Sequence, residues 1–270
     1  MRIAACQMIS GTDPEENLRH AVTLINSACA SGAELVVLPE YFPLVPDHDE
    51  ALVRLAEPWG NGRIQNLMKS IAREKKIWLC AGTIPIQSDD DQHYIDTAIV
   101  YSPDGEVACR YDKIHLFEFK RHDEHFAEAA TTEPGQSPQH TDIECWDGAW
   151  KLGLAVSFDL RYPELFRAMA TPDIIVLPAA FTETTGQCHW ETLVRARAIE
   201  NQCYVIACNQ GGEHECGRHS WGHSLVIDPW GMTVSEMSFG EGVILADISR
   251  SRIHDIRTIL PALKGRCDHL

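Results

Sequence analysis

The chain has 270 residues, 44% apolar and 23% charged, with 18 glycines and 14 prolines, a balance that excludes a disordered or collagen-like polypeptide. Lys and Arg number 23 against 39 Asp and Glu, and the net charge of −16, with no local basic patch, repels phosphate backbones and anionic membranes. No window approaches the roughly 18 apolar residues of a membrane span, and the opening MRIAACQMIS has no signal-peptide layout, so a cytoplasmic protein with no nucleic-acid and no membrane partner is expected.

Arg2 to Met8 reads as a short buried strand. Asp13-Pro14-Glu15-Glu16 then supplies an N-cap, a proline at the first helical position and first-turn acids. Leu18, Ala21, Val22, Ile25 and Ala28 recur at helical spacing up to Gly32, and Glu34 to Pro39 is a second apolar strand that closes a βαβ unit. A helix over about 63–75, a strand over 77–84 and a strand over 97–101 with the turn Pro103-Asp104-Gly105 continue the alternation. The second half repeats it, with a strand over 151–156, a helix over 163–170 and a strand over 173–178. An amphipathic helix over 189–200 and a strand over 203–208 follow. Strands over 220–227 and 242–247, joined through the turn Asp228-Pro229-Trp230-Gly231, read as a late β-meander. From Ser251 a basic amphipathic helix, broken at Pro261, forms a tail that is expected to dock on a neighbouring subunit.

Leu35-Val-Val-Leu-Pro-Glu-Tyr-Phe42 lines up with Ile174-Ile-Val-Leu-Pro-Ala-Ala-Phe181, each closing a βαβ unit, which identifies an internal pseudo-repeat. Two such halves most simply build one α/β domain over 1–270, a four-layer α-β-β-α sandwich of two packed mixed sheets. The ten cysteines contain no CxxC pair, and Cys188, His189, His214, Cys216, His219 and His223 follow no standard zinc spacing; no metal site is expected.

Three segments place polar groups where such sheets bind ligands, at the carboxyl ends of strands. Glu40 follows an apolar run, where burial would raise its pKa and suit it to general-base work; its repeat equivalent is Ala179, so the fold alone does not demand an acid. Lys113 sits among apolar residues in Arg110-Tyr-Asp-Lys-Ile-His-Leu-Phe117, where an ammonium could stabilise an oxyanion. The blander reading of both is a solvated loop charge. Ser157 occupies the turn between an apolar strand and the helix near Pro163, a position for a nucleophile or for a plain turn residue.

At these segments the chain resembles the nitrilase superfamily of carbon–nitrogen hydrolases over essentially its whole length. The family's glutamate motif matches Leu38-Pro-Glu40-Tyr-Phe, its lysine motif matches Tyr111-Asp-Lys113-Ile-His-Leu-Phe, and its nucleophile motif, usually Cys-Tyr-Asp-Leu-Arg-Phe-Pro-Glu, matches Ser157-Phe-Asp-Leu-Arg-Tyr-Pro-Glu164. A second family glutamate, which positions substrate and lysine, matches Glu128. The resemblance implies that Glu40 is the base, that Lys113 and the N–H of Phe158 hold the oxyanion, that Glu128 orients the site, and that no metal or organic cofactor is needed. The departure is Ser157 at the cysteine position. A hydroxyl is far less acidic than a thiol and a poorer acyl leaving group, so little or no turnover is expected. The intact surroundings favour an engineered Cys→Ser replacement over a natural serine enzyme or a pseudoenzyme that binds a carboxylated metabolite.

Segments from Pro178 to Gly231 resemble the deaminated glutathione amidase branch, with the ω-amidases as the alternative. Both imply a small carboxylated amide as substrate. Arg195, Arg218, Lys120 and Arg121 are candidate carboxylate contacts, none of them singled out by the sequence. Phe158, Phe181 and Thr182 follow strand ends and are expected to line the pocket. The resemblance further implies at least a homodimer through the helix after Ser157 and that over 189–200.

Overall fold

Period-two alternation in the apolar runs decides which faces meet. In β1 (Arg2–Gln7), β2 (Leu35–Val37) and β3 (Trp78–Gln87), the side chains of Ile3, Ala5, Leu35, Val37 and Cys80 share one core with a second sheet. The alternate residues Ala4, Cys6, Val36 and Leu79 pack instead under α1 (Pro14–Ala30) and α3 (Arg63–Lys75). A computed structural model describes residues 1–48, 50–121 and 124–267. Asp13 caps α1 by accepting from the Glu15 N–H at 2.9 Å, with Pro14 opening the helix.

The first sheet runs β14-β1-β2-β3-β4-β5, adding β4 (Tyr94–Tyr101), β5 (Val107–Asp112) and β14 (Gly242–Asp247). The second runs β13-β12-β11-β10-β9-β8. Its strands are β8 (Gln139–Cys145), β9 (Gly148–Leu154), β10 (Ile174–Ala179), β11 (Tyr204–Asn209), β12 (Ser224–Ile227) and β13 (Thr233–Met237). The repeat is one of topology as well as wording. Leu35 pairs with Ile3 and Ile174 pairs with Leu152, so β2 and β10 enter their sheets in the same parallel register. Outside the second sheet lie α4 (Pro163–Ala168) and α5 (Glu183–Asn201), the latter burying Trp190, Val194, Arg197 and Ala198, and the four layers are those expected.

Three local expectations are corrected. The late meander does not exist, because the 242–247 strand leaves the second sheet and pairs antiparallel with β1, from Arg2↔Asp247 to Gln7↔Gly242, covering an otherwise open edge. The 220–227 strand shortens to β12, with Ser220 bridged to Thr182 instead. The 189–200 helix begins at Glu183. Gly186 looks like a helix breaker, yet a Cβ there would stand 2.4 Å from the Trp221 side chain, so close packing demands glycine inside the helix.

The remaining elements are α2 (Glu50–Leu55), the hairpin of β6 (Glu118–Arg121) and β7 (Glu124–Ala127), and α6 (Arg250–Ile259). The tail helix packs on its own chain through Ile253 and Ile256 and through Arg257, which binds Asp173 at 3.0 Å. Among the described residues no helix is long and apolar enough to cross a membrane.

Candidate active site

The carboxyl ends of β2, β9 and β10, with the segment after β5, converge on one cavity. Glu40 follows β2. Its backbone is set by close packing, since a Cβ on Gly82, at φ +51°, would meet the Pro39 carbonyl at 2.1 Å. The second sheet grips the same residue: the Ala180 N–H donates to Glu40 Oε2 at 2.7 Å, and Gln210 Nε2 donates to the Glu40 carbonyl at 3.0 Å. The carboxyl is thus fixed between two halves of the repeat.

Lys113 leaves β5 with its N–H on the Asp96 carbonyl at 2.9 Å and its own carbonyl taking the Gly135 N–H at 2.8 Å. That approach also requires glycine, because a Cβ on Gly135 would lie 2.0 Å from the Asp112 carbonyl oxygen. The ammonium donates to Glu40 Oε1 at 2.7 Å and to both oxygens of Glu128 at 2.8 and 2.7 Å. Glu128 is anchored in turn by the Tyr41 hydroxyl at 2.9 Å and the Phe117 N–H at 2.7 Å. Glu40 and Lys113 are each 1% exposed, which removes the reading of either as a solvated loop charge.

Burial works to lower the Lys113 pKa, but Glu128, Glu40 and Asp96 together outweigh it and hold the ammonium well above the ordinary lysine value. Glu40 is raised above the usual carboxylate range by burial first, against the opposing charge of Lys113 and with Glu128 adding to the rise; the Ser157 hydroxyl, which faces it, favours its charged form.

Ser157 sits at φ +45° between β9 and a 3₁₀ turn over Ser157–Arg161, a strained elbow that leaves the side chain on the cavity wall. Asp159 holds the elbow. Its carboxylate accepts from the Val156 N–H at 2.8 Å and the Tyr111 hydroxyl at 2.7 Å, and from the N–H and Nδ1 of His115 at 3.1 and 2.7 Å. One buried acid therefore ties the Ser157 turn to the strand and loop that carry Lys113. His115 also stacks on Tyr162, with ring centroids 3.6 Å apart.

Phe158, Phe181 and Thr182 all line this cavity, together with Glu40, Glu128 and Ser157. Of the four candidate cations Arg218 alone is on the wall, over the Phe126 ring at 5.8 Å. Arg195 is held away by Glu191 and the Gly231 carbonyl, and Lys120 and Arg121 are exposed on β6. Among the described residues no cysteine lines it; Cys145, at the end of β8, contacts the Met1 sulfur at 3.2 Å.

Comparison with known proteins agrees with this geometry. The family model for carbon-nitrogen hydrolases matches residues 2–258. The chain belongs to the carbon-nitrogen hydrolase family. Within it, the chain is 36% identical over 268 residues, 97% of both chains, to a deaminated glutathione amidase from Synechocystis sp.. It superposes on the crystal structure of the C. elegans NitFhit protein with a TM-score of 0.88 at 34% identity, covering 98% of this chain and 64% of that longer one. An amidase from Nesterenkonia sp. AN1, solved with acrylamide added at its active site cysteine, matches with a TM-score of 0.79 at 26% identity, covering 98% of this chain and 99% of that one. The chain is thus a nitrilase-superfamily hydrolase of the branch that contains the deaminated glutathione amidases.

Sequence reasoning missed three contributors. Tyr41, at φ +57°, and Asp159 carried no assigned role, although both lie inside the quoted motifs. Asp96, in β4, reads locally as one more polar strand residue, yet it is 1% exposed and neither carboxyl oxygen has a hydrogen-bond partner. Burial raises its pKa well above the carboxylate range, Glu40 adds to this, and Lys113 and the nearby Thr83 hydroxyl oppose it. A carboxyl whose folded pKa exceeds its unfolded one contributes stability that is lost as pH rises towards the folded value. Asp96→Asn is therefore expected to stabilise the fold by on the order of 1–3 kcal/mol near neutral pH and by almost nothing near pH 3. Thermal melts across pH check this, and a pH-independent difference would refute it.

Proposed function

We propose that the fold is that of an amidase for an α-keto acid amide of the deaminated glutathione type, with turnover suppressed by serine at position 157. The observation that carries the reading is the buried ion cluster of Glu40, Lys113 and Glu128 facing the Ser157 elbow, and the similarity to deaminated glutathione amidases supports the substrate class. With a thiol at 157, Glu40 takes its proton and sulfur attacks the amide carbon. The oxyanion is met by the Lys113 ammonium and the Phe158 N–H, which lies in the first turn of the 3₁₀ segment. Glu40 returns the proton to the departing amine, the C–N bond breaks, and a thioester is left. Water that gives its proton to Glu40 then cleaves the thioester, releasing the acid and the thiol. Glu128, held by Tyr41 and Phe117, keeps the ammonium aimed.

With the hydroxyl, the same site binds the amide but activates its nucleophile poorly. The test is side-by-side hydrolysis of deaminated glutathione and α-ketoglutaramate by the Ser157→Cys chain. Release of 2-oxoglutarate with cysteinylglycine, faster than from α-ketoglutaramate, is the expected result; preference for α-ketoglutaramate would assign the ω-amidase activity instead.

A further inference from the structure

His214 and Ser220 form a second polar pair on the same cavity, outside the Glu40–Lys113–Glu128 cluster. His214 is 2% exposed, with Nδ1 2.9 Å from the Ser10 carbonyl and Nε2 2.8 Å from Ser220 Oγ. A carbonyl only accepts, so Nδ1 carries the proton and Nε2 is bare. The Ser220 hydroxyl must then donate to Nε2, which leaves its oxygen lone pairs for whatever fills the cavity that Ser220 lines with Glu40, Ser157 and Phe181. The pair has the look of an activated serine, but nearby oxyanion donors are already spent. The Ser220 N–H goes to the Gly212 carbonyl at 2.9 Å and the Trp221 N–H to the Phe181 carbonyl at 2.8 Å. A binding role survives where a second nucleophile does not.

We propose that Ser220, oriented by His214, is a substrate-binding residue that accepts a hydrogen bond from an N–H or O–H of the amide substrate. The proposal rests on the amidase reading above and adds a recognition element to it, with His214 as the positioning residue. The pair is also reversible. A second proton on His214 enters at Nε2, which then donates to Ser220 Oγ, and the serine proton turns into the cavity: an acceptor becomes a donor. The groups that bear on that protonation are the Arg218 guanidinium and the His219 ring on its own loop and the Ser10 carbonyl on the segment after β1. Burial, which lowers the histidine pKa, and the nearby Arg218 guanidinium favour the neutral ring, while the Ser10 carbonyl favours the charged form. Affinity for a donor-bearing substrate therefore falls only below the ordinary histidine range.

The first test is ¹⁵N NMR of the full chain, which should show His214 protonated at Nδ1 and bare at Nε2 at neutral pH; the opposite tautomer overturns the proposal. The second uses the Ser157→Cys chain with deaminated glutathione. Ser220→Ala should raise KM about tenfold, with kcat changed less than about twofold, and should abolish the rise of KM at acid pH, while Ser220→Thr restores both. Should the alanine variant not fold, Ser220→Cys carries the same expectation, because a thiol is a weak acceptor. An unchanged KM, or a loss confined to kcat, overturns the proposal and leaves the amidase reading standing. If the Ser157→Cys parent cleaves neither amide, the amidase reading fails and this proposal goes with it.

Discussion

Ser157→Cys is expected to raise kcat/KM for the amide substrate by about 10³-fold or more, equivalent to ~4 kcal/mol of transition-state stabilisation. The difference lies in acidity. Burial lifts Glu40 above the usual carboxylate range, which makes it a better base than a solvated glutamate but still a carboxylate. A free thiol ionises near about pH 8.5, within reach of such a base, whereas an aliphatic hydroxyl is weaker by many pK units, and alkoxide is also the poorer group to expel from the acyl intermediate. Nothing else in the site needs to change. The Asp159 hydrogen bonds that hold the elbow involve the backbone of Val156 and the side chains of Tyr111 and His115, not the side chain at 157. Continuous assay of 2-oxoglutarate release from deaminated glutathione distinguishes the outcomes. Equal rates for the two chains would make Ser157 a working nucleophile or a bystander, and silence in both with retained binding would favour a metabolite-binding pseudoenzyme.

The parts of this site that were legible in the sequence are those whose cause is local. Glu40 and Ser157 sit at the ends of apolar runs, and an apolar run buried on both faces marks the mouth of a parallel strand. The pseudo-repeat was legible because β2 and β10 occupy the same place in equivalent sheets and so carry the same wording. What escaped depends on partners distant in the chain. β14 looks like the next strand of a meander until its pairing with β1, some 240 residues earlier, is seen. The β6–β7 hairpin, which carries Phe126 to the cavity wall, lacks the alternation and turn chemistry that announce a hairpin. Asp96 is a polar residue in a strand, and only the approach of Lys113 and Glu40 from β5 and β2 makes it part of a charge cluster. The wording of a strand reports its two faces but not which charge stands opposite.

Lys113→Met is expected to be the most damaging single change, destabilising the fold by about 3–5 kcal/mol and cutting turnover of the Ser157→Cys chain by about 10²-fold or more. The ammonium is 1% exposed and is hydrogen-bonded to both Glu40 and Glu128, so a methionine of similar length fills the space but leaves two carboxyls without their counter-charge. Two consequences separate this from an ordinary packing defect. Lys113 is the charge that opposes the rise in the Glu40 pKa, so its removal pushes Glu40 further up. A carboxyl raised in the folded state contributes stability that is present below its unfolded pKa, about 4.3, and lost as pH rises through the folded value. The deficit in melting temperature of Lys113→Met relative to the parent should therefore grow as pH rises from about 4 to neutrality. A deficit of constant size across that range would mean that the lysine is held for its volume, and the electrostatic account of the cluster would not stand. Catalysis should respond differently, because acid conditions that rescue the fold protonate the base: turnover of the variant should stay low at every pH, since neutralising Glu40 restores the fold only by removing the group that activates the nucleophile.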